Sequence, residues 1–381
     1  MSEDALWLLI PAGQRANGAW IDDTLVRRAR EKGMTARLTE AGRFPRQRVE
    51  VLRGGDAGAL YYRRGWTDGL PIVPPTLDRV DAMLRGSARG RNESLGELDP
   101  LKGVATVERV AANAVMAGCA PEHFPVVLAA VEALADPAFN LRGVQTTDEN
   151  VAPLILLSGP VVERLEVNAG FGMLGPGWQA NAAIGRAVRF VMNNIGGGWP
   201  EAVSFAGLGQ PGRYTLVLAE SAAANPWEPL HEELGGENML ALMRAETAIN
   251  VTGGLDDLAS VMGSAASAFN MAWEGKAAVV MAPFVAQELA KQGWSKADAK
   301  EALWRRGRMP RAEFETLWLR TRLIGSERWP EWAEGEGAVP AVARPEDIVL
   351  IVAGGDIPIP QCAWFPSWGF PPCCVVKEIA A

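Results

Sequence analysis

The feature that most constrains this chain is the alternation of short apolar runs with longer stretches of helical periodicity. Apolar runs of strand length occur at 153–157, 214–219, 277–281 and 348–353, and patterns typical of amphipathic helices separate them. Strands that alternate with helices favour helices packed on a sheet over an all-α or all-β fold. We therefore predict an α/β fold with a mixed or largely parallel sheet and packed helices.

Several of the predicted helices carry start signals. Thr106 and Ser295 are suitable caps, and the helix that follows Ala120 begins with proline, whose missing N–H costs little in the first turn. The predicted helices cover 106–119, 121–135, 178–194, 255–273, 284–291 and 296–306.

Three parts of the chain differ in pattern. Residues 1–60 read as a small β-α-β module, and residues 61–356 as the main α/β domain. The Pro-, Trp- and Cys-rich stretch 357–374 has no regular period, so we predict that 357–381 is an irregular C-terminal segment.

Composition limits the class of protein. The chain has 381 residues, 48% of them hydrophobic, which is enough to bury a core without disulfide bonds. A net charge of −8 argues against nucleic-acid or anionic-lipid partners, because both require a basic face. The acidic N-terminus and the absence of long apolar runs indicate a soluble, cytoplasmic protein with no secretory leader and no membrane partner.

A glycine-rich stretch at 168–177 contains G-x-G-x-x-G directly before a predicted helix. A dinucleotide site also needs an acidic residue roughly 20 positions further on, where this chain has asparagine, so NAD is not expected and the cofactor stays open. Glycines at a helix N-terminus favour a carboxylate or phosphate. We predict an anion site built from Gly175, Gly177, Asn181 and Arg186; the alternative is that the glycines only form tight turns.

The two histidines exclude a multi-histidine metal site by count, and no metal is predicted. His123 reads as a surface position at a helix end. His231 lies in a loop that leaves a predicted strand at Glu220, and ligands gather at the carboxyl ends of strands in open α/β sheets. Glu220 and His231 are therefore a candidate acid–base pair, provided the loop folds back; a surface loop with a packed Trp227 is the alternative.

The cysteines are read as reduced thiols of two kinds. Cys119 ends an alanine-rich helix and fits a packed apolar side chain. Cys362, Cys373 and Cys374 share one segment and can act as a nucleophile with a resolving thiol, or bind a soft metal. No C-x-x-C spacing is present, so zinc-ribbon and thioredoxin signatures are absent.

Five ordered segments together resemble one family. They are WTDGLPIVPP (66–75), NAVMAGC (113–119), GPGWQANAAIGR (175–186), NIGG (194–197) and PWEPLH (226–231). These are similar to the large domain of UGSC-type (seleno)proteins, a bacterial family, over roughly residues 60–356. The resemblance implies a small-molecule enzyme with a redox-type selenocysteine or cysteine motif near the N-terminus. This chain has no cysteine before Cys119, and the C-terminal thiols are the candidate substitutes.

Two further residues complete the candidate substrate site. Asp68 orients a substrate or, by default, initiates a turn, and Asn194 opens the NIGG segment. Tryptophans between 304 and 332 indicate packing or a subunit interface, so we expect a homo-oligomer.

The leading hypothesis is an enzyme that acts on a small anionic metabolite at a carbon–sulfur or other carbon–heteroatom bond, by thiolate and acid–base chemistry. An acid–base lyase or hydratase without thiol participation is the first alternative. A metal–thiolate binding protein and a non-catalytic subunit are the others.

Overall fold

The computed structural model describes residues 5–8, 48–51, 56–273, 275–322, 337–369 and 373–380. These residues form helices and mixed sheets, so the predicted α/β class is confirmed. No helix within the described ranges is long and apolar enough to cross a membrane.

Helices and strands alternate along much of the chain. The helices are α1 (Ala57–Arg63), α2 (Leu77–Leu84), α3 (Val107–Ala117), α4 (Phe124–Ala135), α5 (Leu141–Thr146), α6 (Val161–Arg164), α7 (Gln179–Asn194), α8 (Leu230–Glu233), α9 (Leu255–Met262), α10 (Ala268–Trp273), α11 (Pro283–Lys291), α12 (Lys296–Arg306), α13 (Arg311–Phe314) and α14 (Trp318–Arg322). The strands are β1 (Ala5–Leu8), β2 (Arg48–Val51), β3 (Ser94–Leu98), β4 (Gly103–Thr106), β5 (Ala152–Ser158), β6 (Val217–Ala219), β7 (Met239–Ala245), β8 (Ile249–Thr252), β9 (Ala277–Met281), β10 (Arg308–Pro310), β11 (Ala338–Pro340), β12 (Ile348–Val352), β13 (Gln361–Phe365) and β14 (Val375–Glu378).

The chain divides into two compact units, each assembled from separate stretches. The first comprises residues 1–150, 178–216 and 379–381, and the second comprises 151–177 and 217–378. Most of the predicted β-α-β module lies outside the described residues, which include the antiparallel pair β1 and β2 and, at 56–60, the beginning of α1. The boundaries near residues 60 and 356 stay predictions.

The first unit is mainly helical. Its central helix α3 is buried along its whole length and packs against α7. Thr106 caps α3 as the sequence predicts, since its hydroxyl accepts a hydrogen bond from the Arg109 N–H. The helix ends at Gly118, whose φ of +86° is in the left-handed region that glycine adopts readily.

The second unit contains two mixed four-stranded sheets, with strand orders β14-β7-β5-β6 and β12-β9-β13-β8. Within them β5 and β6 are parallel, as are β12 and β9, and the remaining pairs are antiparallel. All residues of β5, β7 and β9 are buried, which is why β5 and β9 read as nearly continuous apolar runs. The sequence predicted β5, β9 and β12 to within a residue at each end.

Two predictions of secondary structure are wrong. The single helix predicted over 255–273 is two helices, because α9 ends at Gly263 and the Ser264 hydroxyl caps a new turn. The segment 357–381, predicted to be irregular, contains two strands: β13, which pairs with β8 on one side and β9 on the other, and β14, which pairs with β7. Prolines at 360 and 366 flank β13 without interrupting it, and they concealed it from sequence reasoning.

Candidate functional site

Polar side chains follow two neighbouring parallel strands of the second unit. Ser158 is the last residue of β5, and Glu220 follows the last residue of β6. The Glu220 N–H donates to the Leu157 carbonyl oxygen at 2.9 Å, which continues the pairing of the two strands by one residue. Because the carboxyl ends of parallel strands meet at one edge, both side chains lie at the edge where ligands gather in α/β sheets.

Glu220 holds the loop that leaves this edge. Its side chain is 1% exposed. Oε2 accepts hydrogen bonds from the Leu230 N–H and the Ser158 hydroxyl, both at 2.6 Å, and Oε1 accepts one from the Asn225 amide at 3.0 Å. The loop therefore folds back as the sequence interpretation required, with Glu220 joined to residues at both its beginning and its end.

His231 lies in α8 and reaches Glu220 through Ser158. The Ser158 Oγ is 3.0 Å from His231 Nδ1 and also accepts a hydrogen bond from the His231 backbone N–H at 2.9 Å. A hydroxyl has one proton, and the short contact to the Glu220 carboxylate uses it. We therefore assign the proton of the half-buried imidazole to Nδ1, which leaves Nε2 with a free lone pair.

A buried lysine extends this cluster. Lys296, 9% exposed in its side chain, has its Nζ 4.0 Å from Glu220 Oε1, pairs with Glu233, and donates to the Glu228 carbonyl oxygen at 3.1 Å. Lys300 pairs with the other oxygen of Glu233 at 3.2 Å. The Lys296 ammonium therefore lies within ion-pair distance of the carboxylate that holds the loop.

This arrangement differs from the triad of serine hydrolases. There the imidazole lies between the serine and the acid, and the hydroxyl faces the substrate. Here the serine lies between the imidazole and the acid, is 1% exposed, and has both lone pairs and its proton engaged. The geometry thus suits proton transfer at His231 Nε2 and does not present Ser158 as a nucleophile.

Two of the four candidate thiols, Cys362 and Cys373, are buried, and Cys119 and Cys374 are half-buried. Cys362 lies on β13 and is 3% exposed; burial raises its pKa to about 12, and the negative charge of Asp257 acts in the same direction. Burial likewise raises the pKa of Cys374 to about 11, although Lys276 opposes the shift. Burial also raises the pKa of Cys119. Cys373 is buried as well. These environments hold Cys119, Cys362 and Cys374 in the protonated form, which is a poor nucleophile.

The reactivity of these thiols is directly measurable. Near neutral pH we expect alkylation by iodoacetamide to be at least about a hundredfold slower in the native protein than in the urea-unfolded chain, because each pKa unit removes tenfold of the thiolate. Mass spectrometry of time-quenched samples gives the rate for each cysteine. A native cysteine that reacts at the rate of the unfolded chain would restore the thiolate hypothesis for that residue.

The glycine-rich stretch forms an internally bonded loop. Asn168 Oδ1 accepts from the Gly170 N–H at 2.8 Å, and the Gly175 N–H donates to the Gly172 carbonyl oxygen at 2.7 Å. Gly172 and Gly177 have φ values of +66° and +126°. Since the loop uses these N–H groups itself, the contacts favour the tight-turn alternative over an anion site at Gly175.

Arg186 and Asp68 form an ion pair in the first unit. The guanidinium binds both carboxylate oxygens, at 2.6 and 2.9 Å, and also donates to the carbonyl oxygens of Leu70 and Pro71. The side chains are 15% and 5% exposed. Both charges are therefore neutralised within the protein, which supports a structural role for the two residues that sequence reasoning assigned to substrate.

Two predicted binding residues on α7 are also buried. Asn194 donates from Nδ2 to the Trp66 carbonyl oxygen at 3.1 Å and to Asn113 Oδ1 at 2.9 Å, which links three of the family-like segments. The backbone oxygen of Asn181 accepts from the Thr215 hydroxyl. His123, predicted at the surface, is buried, and its Nδ1 accepts from the Ala120 N–H at 3.2 Å; that surface prediction is wrong.

A cavity of about 730 Å³ lies elsewhere in the first unit, beside the turn that follows Trp66. It is lined by residues of α1 and of 67–76 together with Arg79, and both polar and apolar groups face it. The Arg79 guanidinium donates to the Pro74 carbonyl oxygen. Its lining contains no histidine or cysteine, so the cluster around His231 is the better candidate for acid–base chemistry.

No group of three or more histidine, cysteine or acidic side chains in the described part of the chain is placed to hold a metal ion. Comparison with known protein families, with curated proteins and with solved structures finds no match. The resemblance to UGSC-type proteins therefore stays a prediction from the motifs.

Sequence reasoning missed Ser158, the residue that joins the candidate acid and base. It stands 62 residues before Glu220 and 73 before His231, so no local spacing reveals it. The one signal in the sequence was a polar residue that ends a fully apolar strand and is followed by Gly159, whose φ is +110°.

Proposed function

We propose that this chain is an enzyme in which His231 acts as a general base on a small anionic metabolite, in a lyase or hydratase reaction at a carbon–heteroatom bond. The observation that carries the proposal is the bridge from Glu220 through the Ser158 hydroxyl to His231 Nδ1. A bridge of this kind orients the imidazole and leaves Nε2 able to accept a proton. The raised pKa values of Cys362 and Cys374 favour this alternative over thiolate chemistry.

We infer the reaction class from two features of the site: His231 can act as a base, and Ser158 is not presented as a nucleophile. Nε2 removes a proton from the carbon next to the carboxylate of the substrate. The C–H electrons form a carbon–carbon double bond, while the bond from the neighbouring carbon to oxygen, nitrogen or sulfur breaks. The heteroatom leaves with that electron pair and takes up a proton, and the reverse reaction is an addition.

The surroundings of His231 support this role electrostatically. When Nε2 is protonated, the imidazolium gains a carboxylate counter-charge at Glu220 through one hydroxyl. General-base catalysis by a positioned side chain contributes about 10²- to 10⁴-fold to a rate.

Proton abstraction can be tested without knowing the leaving group. The purified protein is incubated in D₂O with a panel of small hydroxy-, amino- and thio-carboxylates, and NMR follows deuterium uptake at the α-carbon and loss of substrate. We expect a panel member to react, and His231→Gln to lower its rate by about 10²-fold or more.

His123→Gln provides the matched control, since it removes the chain's other histidine and retains an acceptor for the Ala120 N–H. Its rate should stay at the wild-type level. Ser158→Ala should lower the rate while circular dichroism shows a folded protein. Undiminished reaction in folded His231→Gln, or a wild-type protein inert toward the whole panel, would reject the proposal.

The setting of the enzyme is part of the same proposal. We place it in the cytoplasm as a homo-oligomer acting on a small molecule. Exposed aromatic surface supports the oligomer, because Trp318 is 66% exposed. Sedimentation velocity measures the mass directly, and a single monomer species at micromolar concentration contradicts the oligomer.

A further inference from the structure

Arg189 is a buried guanidinium in the first unit whose charge is not matched by a carboxylate. It lies on α7 and is 7% exposed. Its Nε donates to the backbone oxygen of Arg213 at 2.8 Å. Its Nη2 is fully buried and has no hydrogen-bond partner, and none of the ion pairs formed by the described residues includes it. A buried charged donor without an acceptor is costly, so this atom calls for an explanation.

A second guanidinium lies close to the first. The positive charge of Arg213 adds to burial in lowering the pKa of Arg189, and burial is the larger cause. Arg213 donates from Nη2 to the hydroxyl of Ser204, which is itself buried. Two adjacent like charges and a buried hydroxyl form an environment that an anion would stabilise.

We propose that Arg189, with Arg213 beside it, forms a binding site for a small oxyanion, the carboxylate or phosphate group of a metabolite. Arg186 on the same helix does not compete for this role, because Asp68 occupies its guanidinium. Arginine suits the ligand, since its planar N–H groups match the geometry of both carboxylate and phosphate. The site is independent of the proposed chemistry at His231.

The experiment measures anion binding to the full chain. Isothermal titration calorimetry is run with sodium phosphate and, separately, with sodium acetate, at an ionic strength held constant with sodium chloride. We expect one site per chain for at least one anion; the tighter binder tells whether the site selects a phosphate or a carboxylate. The Arg189→Met variant should bind the tighter-binding anion with an apparent affinity that is lower by about tenfold or more, because the substitution removes charged hydrogen bonds.

Arg142→Met is the matched control, because it removes an exposed arginine of the same unit. Its affinity should equal that of the wild type. Wild-type protein that binds neither anion, or Arg189→Met that binds as tightly as wild type, overturns the proposal.

A second variant guards against loss of folding in Arg189→Met. Arg213→Gln keeps Arg189 and its backbone acceptor but removes the neighbouring charge, so the affinity should fall. An affinity unchanged in Arg213→Gln contradicts the two-arginine site. In anion-free buffer, the melting temperature of Arg189→Met should be no lower than that of the wild type. If Arg189 were purely structural, its replacement would lower the melting temperature.

Discussion

Replacing Glu220 with alanine is expected to lower the free energy of unfolding by about 3–5 kcal/mol, the range found when one member of a buried, hydrogen-bonded charge cluster is removed. The change leaves the Leu230 N–H, the Ser158 hydroxyl and the Asn225 amide without their acceptor. It also removes the carboxylate 4.0 Å from buried Lys296. Urea unfolding followed by circular dichroism gives the midpoint and slope.

Two variants show whether the loss comes from this buried site. Glu220→Gln keeps the side-chain volume and one acceptor oxygen, so it should destabilise the protein less than alanine does. Glu301→Ala removes a carboxylate of similar length on α12, where it pairs with exposed Arg305; surface pairs contribute only about 0–1 kcal/mol. If the urea midpoint of Glu220→Ala equals that of Glu301→Ala, Glu220 does not stabilise the loop.

The strands that were predicted correctly are those whose own amino-acid composition is typical of a buried strand. β9 and β12 consist of apolar residues. A continuous apolar run of this length indicates a strand that is buried on both faces, even when its neighbouring strands are not known. β13 is different, because its short sequence QCAWF lies between prolines and becomes a strand only when β8 and β9 supply the hydrogen bonds. Tertiary pairing of this kind has no local signature.

The candidate site shows the same limit. The proximity of Glu220 and His231 could be predicted from the sequence, because both belong to the segment that leaves one strand, although Ser158 lies between their side chains. Ser158 could not, since its place beside Glu220 depends on the parallel register of β5 and β6. Arg186 and Asp68 were both assigned to the substrate site, because no local pattern shows that these residues, 118 positions apart, pair with each other. Sequence patterns identified polar residues of interest but not which of them neutralise one another.

Replacing Asp68 with alanine is expected to lower the free energy of unfolding by about 2–4 kcal/mol. This loss is smaller than that expected for a fully buried ion pair, because Arg186 remains partly exposed and still donates to two backbone carbonyl oxygens. Arg186→Met should have a cost of similar size, since it leaves the Asp68 carboxylate buried without its cation. The double variant removes both charges together and should be more stable than the sum of the two single losses indicates. Urea unfolding of the three variants and wild type forms a double-mutant cycle.

The coupling energy distinguishes a structural pair from a substrate site. Direct contact at 2.6 and 2.9 Å should give a coupling of about 1–3 kcal/mol, within the range for residues in one ion-pair network. If Arg186 is instead held for a substrate anion, the pair contributes little to folding, and the cycle closes within about 0.5 kcal/mol. In that case Arg186→Met would weaken binding of the carboxylate substrate without lowering the free energy of unfolding. Arg186 would then be assigned to the anion site, as the sequence analysis predicts. A large coupling leaves Arg189 as the arginine of α7 that can still bind an anion.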